Sequence, residues 1–218
     1  MSREELLKAR PILFNTEMVK AILDGRKTET RRTVKLRYKD DEYGFEVITN
    51  RGTGESWMEK IDEEEMTFDP PRYINPPYQP EDILYVRETW QYLYELDGNE
   101  QIVEGTGRYY YAATDQIPFD TYVDSRGISH EKTPWKPSIH MPKKAARILL
   151  KVTDIRPERL QDIDDNGVVA EGLQIGDPFD ELWNSTIKKA DRDRYGWEGN
   201  PWVWVIKFKR INARLDNE

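Results

Sequence analysis

The 218-residue sequence predicts an α+β fold, a compact mixed β-barrel of about six strands with short flanking helices. Runs of β-branched and aromatic residues recur along the chain, and the clearest is the closing run, residues 202–211. The helical segments between these runs are short and irregular. A parallel βαβ sheet needs regular crossover helices, so the pattern favours the barrel. The apolar content of 37% suffices for one core, which indicates a single domain over residues 1–218.

The first elements lead to a sharp corner. An apolar run at residues 11–14 predicts a buried strand, and Asn15 or Thr16 then caps a helix whose apolar residues recur at helical spacing. Gly25 fits the left-handed position that ends a helix, so the chain turns there and its next two residues, both basic, emerge at the corner.

The remaining elements follow from the same local signals. Strands are predicted over residues 28–34, 45–49, around Trp57, 83–88, 108–113, 145–155 and 202–211. Helical segments are predicted over residues 158–163, over 164–171 ending at Gly172, and from Asp180 to about Asp191. Two stretches, at about 38–80 and 114–142, interrupt this pattern with acidic, proline-rich or loop-like sequence, and we interpret them as insertions.

The charge is unevenly distributed. The formal net charge is −8, and residues 38–69 alone contain eleven acidic and three basic residues. Residues 8–37 contain nine basic and three acidic residues, an excess that suits an anionic ligand. A solvated, ion-paired surface is the simpler explanation of either run. The acidic run is also a candidate contact surface for a protein partner.

Several classes of protein are excluded or disfavoured. The chain has no cysteine, which excludes disulfides, thiolate metal sites and a nucleophilic thiol. Two histidines and no cysteine make a tight metal site improbable, so we expect neither a metal nor another cofactor. The sequence shows no signal-peptide pattern and no membrane span, so we expect a cytoplasmic protein without membrane contact. The sequence does not indicate an oligomeric state.

The corner carries a resemblance to a known family. The run Gly25-Arg26-Lys27, with Thr30 three residues and Arg32 five residues after the lysine, resembles the signature of the ASCH family. The resemblance implies a PUA-like β-barrel and covers about two-thirds of the chain, in a longer form that looks like ASCH proteins of phages and prophages. It extends through residues 86–90, 135–141, 152–155, 159–163 and 200–206.

One position refines the resemblance. Many ASCH domains carry Glu where this chain has Thr30, and a Thr there resembles the small bacterial amidohydrolases that deacetylate N4-acetylcytidine. Those enzymes use a Lys, a Thr and a Glu. Lys27 and Thr30 match the first two by motif, and Glu171 falls at the matching place after a strand and a short helix. The resemblance therefore implies that these three residues are catalytic, although both insertions are absent from the small enzymes.

The chemistry leaves two assignments open. A Thr30 hydroxyl that attacks an amide needs a base, and Lys27 serves only if burial or neighbouring cations lower its pKa. Alternatively Glu171 is the base and Lys27 stabilises the developing oxyanion. Residues three apart on a strand point to opposite faces, so Lys27 and Thr30 cooperate only if Lys27 lies on the turn or a bulge intervenes. Without catalysis, Lys27 is a solvated cation and Thr30 an ordinary strand residue.

Two other functions remain open beside the amidohydrolase. In the first, the protein binds RNA or a modified base without catalysis. Lys27, Arg31 and Arg32 would then contact phosphate, and aromatic side chains would stack on a base. The binding residues would also include Arg26, Trp135 and His140, although a lone histidine in a loop is more often structural. In the second, a phage accessory protein binds a protein partner through its acidic insertion.

Overall fold

The fold is mixed α and β, as predicted. The computed structural model describes residues 7–34, 45–49, 56–60, 73–95, 97–99, 101–117, 122–123, 129–130 and 135–211. For residues 45–49, 56–60, 73, 122–123 and 129–130 this description covers the backbone only. Both helices and strands occur in these ranges, which confirms the α+β class.

The strands and helices of the described ranges have the following bounds. The strands are β1 Arg10–Leu13, β2 Glu29–Thr33, β3 Phe45–Thr49, β4 Ser56–Lys60, β5 Tyr73–Ile74, β6 Ile83–Arg87, β7 Trp90–Leu93, β8 Arg108–Tyr111, β9 Tyr122–Val123, β10 Ser129–His130, β11 Leu149–Arg159 and β12 Trp202–Ile211. The α-helices are α1 Thr16–Leu23, α2 Asp165–Ala170, α3 Phe179–Thr186 and α4 Arg192–Tyr195. Short 3-10 turns occupy Ser138–His140, Lys143–Ala145, Leu160–Asp162 and Lys189–Asp191.

The largest sheet has the strand order β1-β6-β11-β12-β2. The pair β1 and β6 is parallel, whereas β12 and β2 are antiparallel. Smaller sheets have the orders β3-β4-β5, β7-β8 and β10-β9. The largest order ends at β1 and at β2, so these described strands form open sheets and not the closed barrel that the sequence predicted. At the outer edge of β2, the Arg31 N–H and the Arg31 carbonyl oxygen bind the side chains of Glu171 and Arg32.

The chain divides into two compact units, and the prediction of a single domain stays a prediction. The first unit contains Met1–Asp24, Ile83–Leu150 and Arg210–Glu218, and the second contains Gly25–Asp82 and Lys151–Lys209. The first has a core cluster of Ala9, Tyr85, Trp90, Met141, Ala145, Ala146 and Leu149. The second has a core cluster of Leu160, Phe179, Trp183, Val203 and Val205. None of the helices in the described ranges has the length and apolarity of a membrane span.

The predicted corner is confirmed. Asn15 caps α1, because its side-chain oxygen accepts a hydrogen bond from the Met18 N–H at 2.9 Å. Gly25 has a φ of 77°, the left-handed conformation that glycine adopts without a Cβ penalty. Lys27 follows this turn and precedes β2. The same signals are confirmed at α2, where Asp164 caps the helix and Gly172 has a φ of 94°.

Three predicted bounds were wrong. The helical segment expected over residues 158–163 is a 3-10 turn at Leu160–Asp162, because Glu158 and Arg159 belong to β11. The strand expected over residues 145–155 spans Leu149–Arg159, because the chain first makes a 3-10 turn in which the Ala145 N–H donates to Pro142 O at 3.0 Å. The helix expected to reach about Asp191 ends at Thr186. There the hydroxyls of Ser185 and Thr186 bind the carbonyl oxygens three residues back, a local alternative that competes with helical hydrogen bonding.

The first predicted insertion is described in part. Residues 45–49 and 56–60 form the predicted strands there, paired antiparallel. Most of the acidic run, residues 38–69, lies outside the described residues, so its role as a surface for a protein partner stays a prediction.

Candidate functional site

The edge strand β2 organises the site. The Phe208 N–H donates to Thr28 O at 2.9 Å, and the Val34 N–H donates to Trp202 O at 2.9 Å. In an antiparallel pair, bonding residues alternate, so the even-numbered residues of β2 bond towards β12 and the odd-numbered ones point their backbone groups to the outer edge. The Arg31 N–H is therefore directed outward, where it donates to Glu171 Oε1 at 2.7 Å.

Lys27 and Glu171 form a buried ion pair. Lys27 Nζ contacts Glu171 Oε2 and also donates to the Glu171 backbone oxygen at 2.9 Å, across 144 residues of sequence. The two residues are only 3% and 5% exposed. A hydrogen bond of 2.8 Å from the Thr28 N–H to Ala170 O holds the end of α2 beside the corner. The two predicted turns, after α1 and after α2, thus bring two of the three predicted catalytic residues into direct contact.

The environment perturbs the lysine. Burial lowers the pKa of the Lys27 ammonium below its ordinary value, and the positive charges of Arg32 and Arg31 lower it further. The Glu171 carboxylate opposes this change through its charge and its hydrogen bond, but burial is the largest effect. Lys27 consequently releases its proton more easily than a lysine in water.

Arg31 lies between two carboxylates. Its Nε donates to Glu158 Oε1 at 2.9 Å, its Nη2 lies 2.8 Å from the same oxygen, and its Nη1 lies 3.4 Å from Glu171 Oε1. The residue is 3% exposed. The sequence suggested that Arg31 contacts a ligand; in the structure an anionic ligand would have to displace one of these carboxylates.

Thr30 lies on the other face of β2 from Arg31, as successive strand residues do. It is 1% exposed, and its Oγ1 accepts a hydrogen bond from Arg32 Nη1 at 2.7 Å. Arg32 is half-buried, and its Nη1 also donates to Arg31 O at 2.9 Å. Burial lowers the pKa of the Arg32 guanidinium. The contacts therefore join Thr30 to Arg32, while Lys27 and Glu171 bind each other.

Charged residues that the sequence analysis did not select extend the site. Arg156 Nη2 lies 3.3 Å from Glu158 Oε2 and 3.9 Å from Glu29 Oε2. Lys207 Nζ lies 3.3 Å from Glu29 Oε1. The signal was present in β11, where Asp154, Arg156 and Glu158 alternate along the strand and so share one face. A chain of alternating charges thus leads from Lys207 to the buried Lys27.

The other predicted binding residues have separate surroundings. Arg26 is exposed, and its Nη1 donates to Gly172 O at 2.6 Å. Trp135 and His140 belong to the first unit. Trp135 is half-buried, and the residue after it exchanges two backbone hydrogen bonds with Trp90, at 3.1 and 2.8 Å. His140 is exposed at the end of a 3-10 turn.

No cluster of three or more histidine, aspartate or glutamate residues that could hold a metal ion occurs in the part of the chain that the structure describes. Comparisons with family models, with curated proteins and with solved structures gave no match to this chain. The resemblance to the ASCH family therefore rests on the sequence motifs alone.

Proposed function

We propose that the protein is an amidohydrolase that removes an acyl group from the exocyclic amine of an N4-acylated cytidine. The buried contact between Lys27 and Glu171 carries the proposal. Taking a lysine and a carboxylate out of water is costly, and buried ionisable groups with perturbed pKa values are typical of catalytic sites. These are two of the three positions that the ASCH resemblance assigns to catalysis, and the PUA-like fold belongs to the same proposal.

The reaction adds water across the amide bond. The Thr30 hydroxyl attacks the acyl carbon and forms an ester, while the carbon–nitrogen bond breaks and the nucleoside amine leaves with the proton taken from Thr30. Water then hydrolyses the ester, releases the carboxylic acid and restores the hydroxyl. Arg32 Nη1, 2.7 Å from Thr30 Oγ1, stabilises negative charge that develops on that oxygen.

The burial of Lys27 favours it as the base over Glu171. Burial lowers the pKa of Lys27, and a lysine that acts as a base needs a pKa below its ordinary value. The carboxylate of Glu171 instead accepts hydrogen bonds from Lys27 and from the Arg31 N–H, with the Arg31 guanidinium 3.4 Å away. Both Glu171 oxygens are thus already engaged as acceptors, so Glu171 would have to give up one of these contacts in order to take the proton of Thr30. Glu171 then stabilises the ammonium that forms when Lys27 takes the proton.

Hydrolysis of N4-acetylcytidine, followed by chromatography of cytidine and acetate, tests the activity. Lys27→Ala and Thr30→Val should each abolish turnover. Lys20→Ala, at an exposed lysine that pairs with Glu17, and Thr33→Val, on the same strand as Thr30, are matched controls that should keep it. No turnover of several N4-acylated cytidines by the parent protein would contradict the proposal.

The pH dependence of kcat/KM separates the two bases. If Lys27 is the base, kcat/KM rises with pH through the lowered pKa of Lys27, and Glu171→Gln moves this rise to lower pH because it removes the interactions that raise that pKa. If Glu171 is the base, Glu171→Gln removes activity at every pH.

A second candidate function is binding of RNA or a modified base without catalysis. It is favoured by the contacts that already engage the Lys27 amine and the Thr30 hydroxyl, and by the exposure of Arg26 beside them. Fluorescence anisotropy with a labelled oligonucleotide at several salt concentrations tests it. Arg26→Ala should reduce the slope of log K against log salt by about one. Lys20→Ala is the control, and affinity that does not depend on salt would contradict this function.

A further inference from the structure

We propose that Arg31 is a positioning residue that fixes the Glu171 carboxylate, and that Glu158 and the absence of a side chain at Gly167 fix Arg31 in turn. The inference rests on the proposed function, because the place of Glu171 decides how the carboxylate meets Lys27. It assigns to Arg31 a role inside the protein in place of the ligand contact that the sequence suggested.

Arg31 holds one oxygen of Glu171 in two ways. Its backbone N–H donates to Oε1 at 2.7 Å, and its guanidinium Nη1 lies 3.4 Å from the same oxygen. The other oxygen, Oε2, contacts Lys27. The carboxylate is therefore held from both sides, and its orientation towards Lys27 depends on where the Arg31 backbone and guanidinium lie.

Glu158 anchors the guanidinium. Arg31 Nε and Nη2 approach Glu158 Oε1 at 2.9 and 2.8 Å, and Arg156 holds the second oxygen of Glu158 at 3.3 Å. The planar guanidinium presents several donors in a rigid fork and so binds Glu158 and Glu171 at once. A lysine at this position would present one point charge and could not reproduce both contacts.

Gly167 gives the guanidinium its space. A Cβ at this position would lie 2.9 Å from Arg31 Nη2 and 2.8 Å from Ile163 Cγ1. Such distances are too short, so both the guanidinium and the Ile163 side chain would have to shift. The helix cannot easily yield instead, because the Gly167 N–H is held by the capping carboxylate of Asp164 at 2.7 Å. The atoms nearest to the added Cβ belong to Ile163, Arg31 and Asp164, so its direct steric contact is with Arg31 and not with the side chains of Lys27, Thr30 or Glu171, although the Gly167 backbone oxygen accepts the Glu171 N–H at 2.9 Å.

Two variants test the inference in the full-length protein. Gly167→Ala displaces the guanidinium by steric contact, and Arg31→Lys keeps the charge but removes the fork. Each should lower kcat for N4-acetylcytidine about tenfold to a hundredfold and leave KM within about twofold, as expected when a catalytic group is misplaced by less than an ångström. Ala in place of Gly within a helix ordinarily stabilises it, so a loss of kcat in Gly167→Ala at an undiminished melting temperature is not explained by unfolding.

The controls change residues that do not contact Arg31. Val169→Ala alters the exposed residue two positions along the same helix, and Lys189→Gln removes the charge of an exposed lysine in a 3-10 turn. Both should keep kcat within about twofold of the parent value.

Amide hydrogen exchange at Arg31 provides a readout that does not depend on catalysis. Its N–H is protected by Glu171 Oε1, so Gly167→Ala should accelerate exchange about tenfold or more, while Val169→Ala should not. If the parent protein is active, unchanged kcat in both variants overturns the inference and leaves the proposed function intact. If the parent protein hydrolyses no acylated cytidine, the proposed function fails. The exchange rate then decides alone, and an unchanged rate in Gly167→Ala overturns the positioning role.

Discussion

Removal of Glu171 from the buried Lys27–Glu171 pair should lower the free energy of unfolding more than removal of Lys27. In Glu171→Ala the Lys27 ammonium stays buried without its carboxylate, and loss of one partner of a buried pair costs about 3 to 5 kcal/mol. In Lys27→Met the Glu171 carboxylate keeps the Arg31 N–H at 2.7 Å and the guanidinium at 3.4 Å. Lys27→Met should therefore lower the free energy of unfolding by about 1 to 3 kcal/mol, close to the contribution of one hydrogen bond to a charged group.

Urea unfolding followed by tryptophan fluorescence measures both losses, since the chain has 7 tryptophans. Circular dichroism should give the same transition, which checks that unfolding is two-state. For a chain of this length each kcal/mol lowers the melting temperature by about 2 to 4 °C, so Glu171→Ala should lower it by about 6 to 20 °C. The double variant should lose less than the sum of the two single variants, because the pair is lost only once.

The destabilisation caused by Glu171→Ala should also become smaller as pH rises. Without the carboxylate, the pKa of Lys27 falls further below its ordinary value, because the interactions that raise it are gone. A lysine whose folded pKa is lowered binds fewer protons when folded, so the free energy of unfolding rises with pH until the unfolded lysine titrates. That rise begins at lower pH in the variant than in the parent. Equal losses in the two single variants, or losses below about half a kcal/mol, would refute this reasoning.

Three further perturbations have defined outcomes. Gly25→Ala forces a Cβ into a φ of 77° with open space around it, so chemical denaturation should show a loss of about 1 to 2 kcal/mol from backbone strain alone. Asp164→Ala removes the cap of α2, and the melting temperature should fall at neutral pH. The Gly167 N–H lowers the pKa of Asp164, so the cap stabilises above the ordinary aspartate pKa, and the difference from the parent should vanish as pH falls through the lowered value. Glu88→Gln replaces a buried carboxylate, whose oxygens accept hydrogen bonds from Arg147 at 2.9 and 2.8 Å, by a neutral amide. Urea unfolding should show a loss of about 1 to 3 kcal/mol in the free energy of unfolding.

Local chemistry in the sequence was enough to place the corner and several elements. The Asn15 cap, the left-handed Gly25 and the closing strand Trp202–Ile211 each depend on residues within a few positions, and each is confirmed. The end of α3 was missed because the hydroxyls of Ser185 and Thr186 bind carbonyl oxygens three residues back, and the pattern of apolar residues does not show such contacts.

Sequence alone also selected Lys27, Thr30 and Glu171, through motif resemblance and not through any local rule. What only the tertiary structure decided is how they meet. Lys27 and Glu171 lie 144 residues apart in the sequence, and Glu171 meets the outer edge of β2. The sequence pattern predicted a closed barrel, which has no such open edge. Because β2 is the last of the described strands in its sheet, the outward Arg31 N–H donates to the carboxylate of Glu171, just after α2, and the same carboxylate contacts Lys27. The sequence determined the residues and their turns, and the packing of the end of α2 against the corner and the edge of β2 determined that Lys27 and Glu171 are buried together.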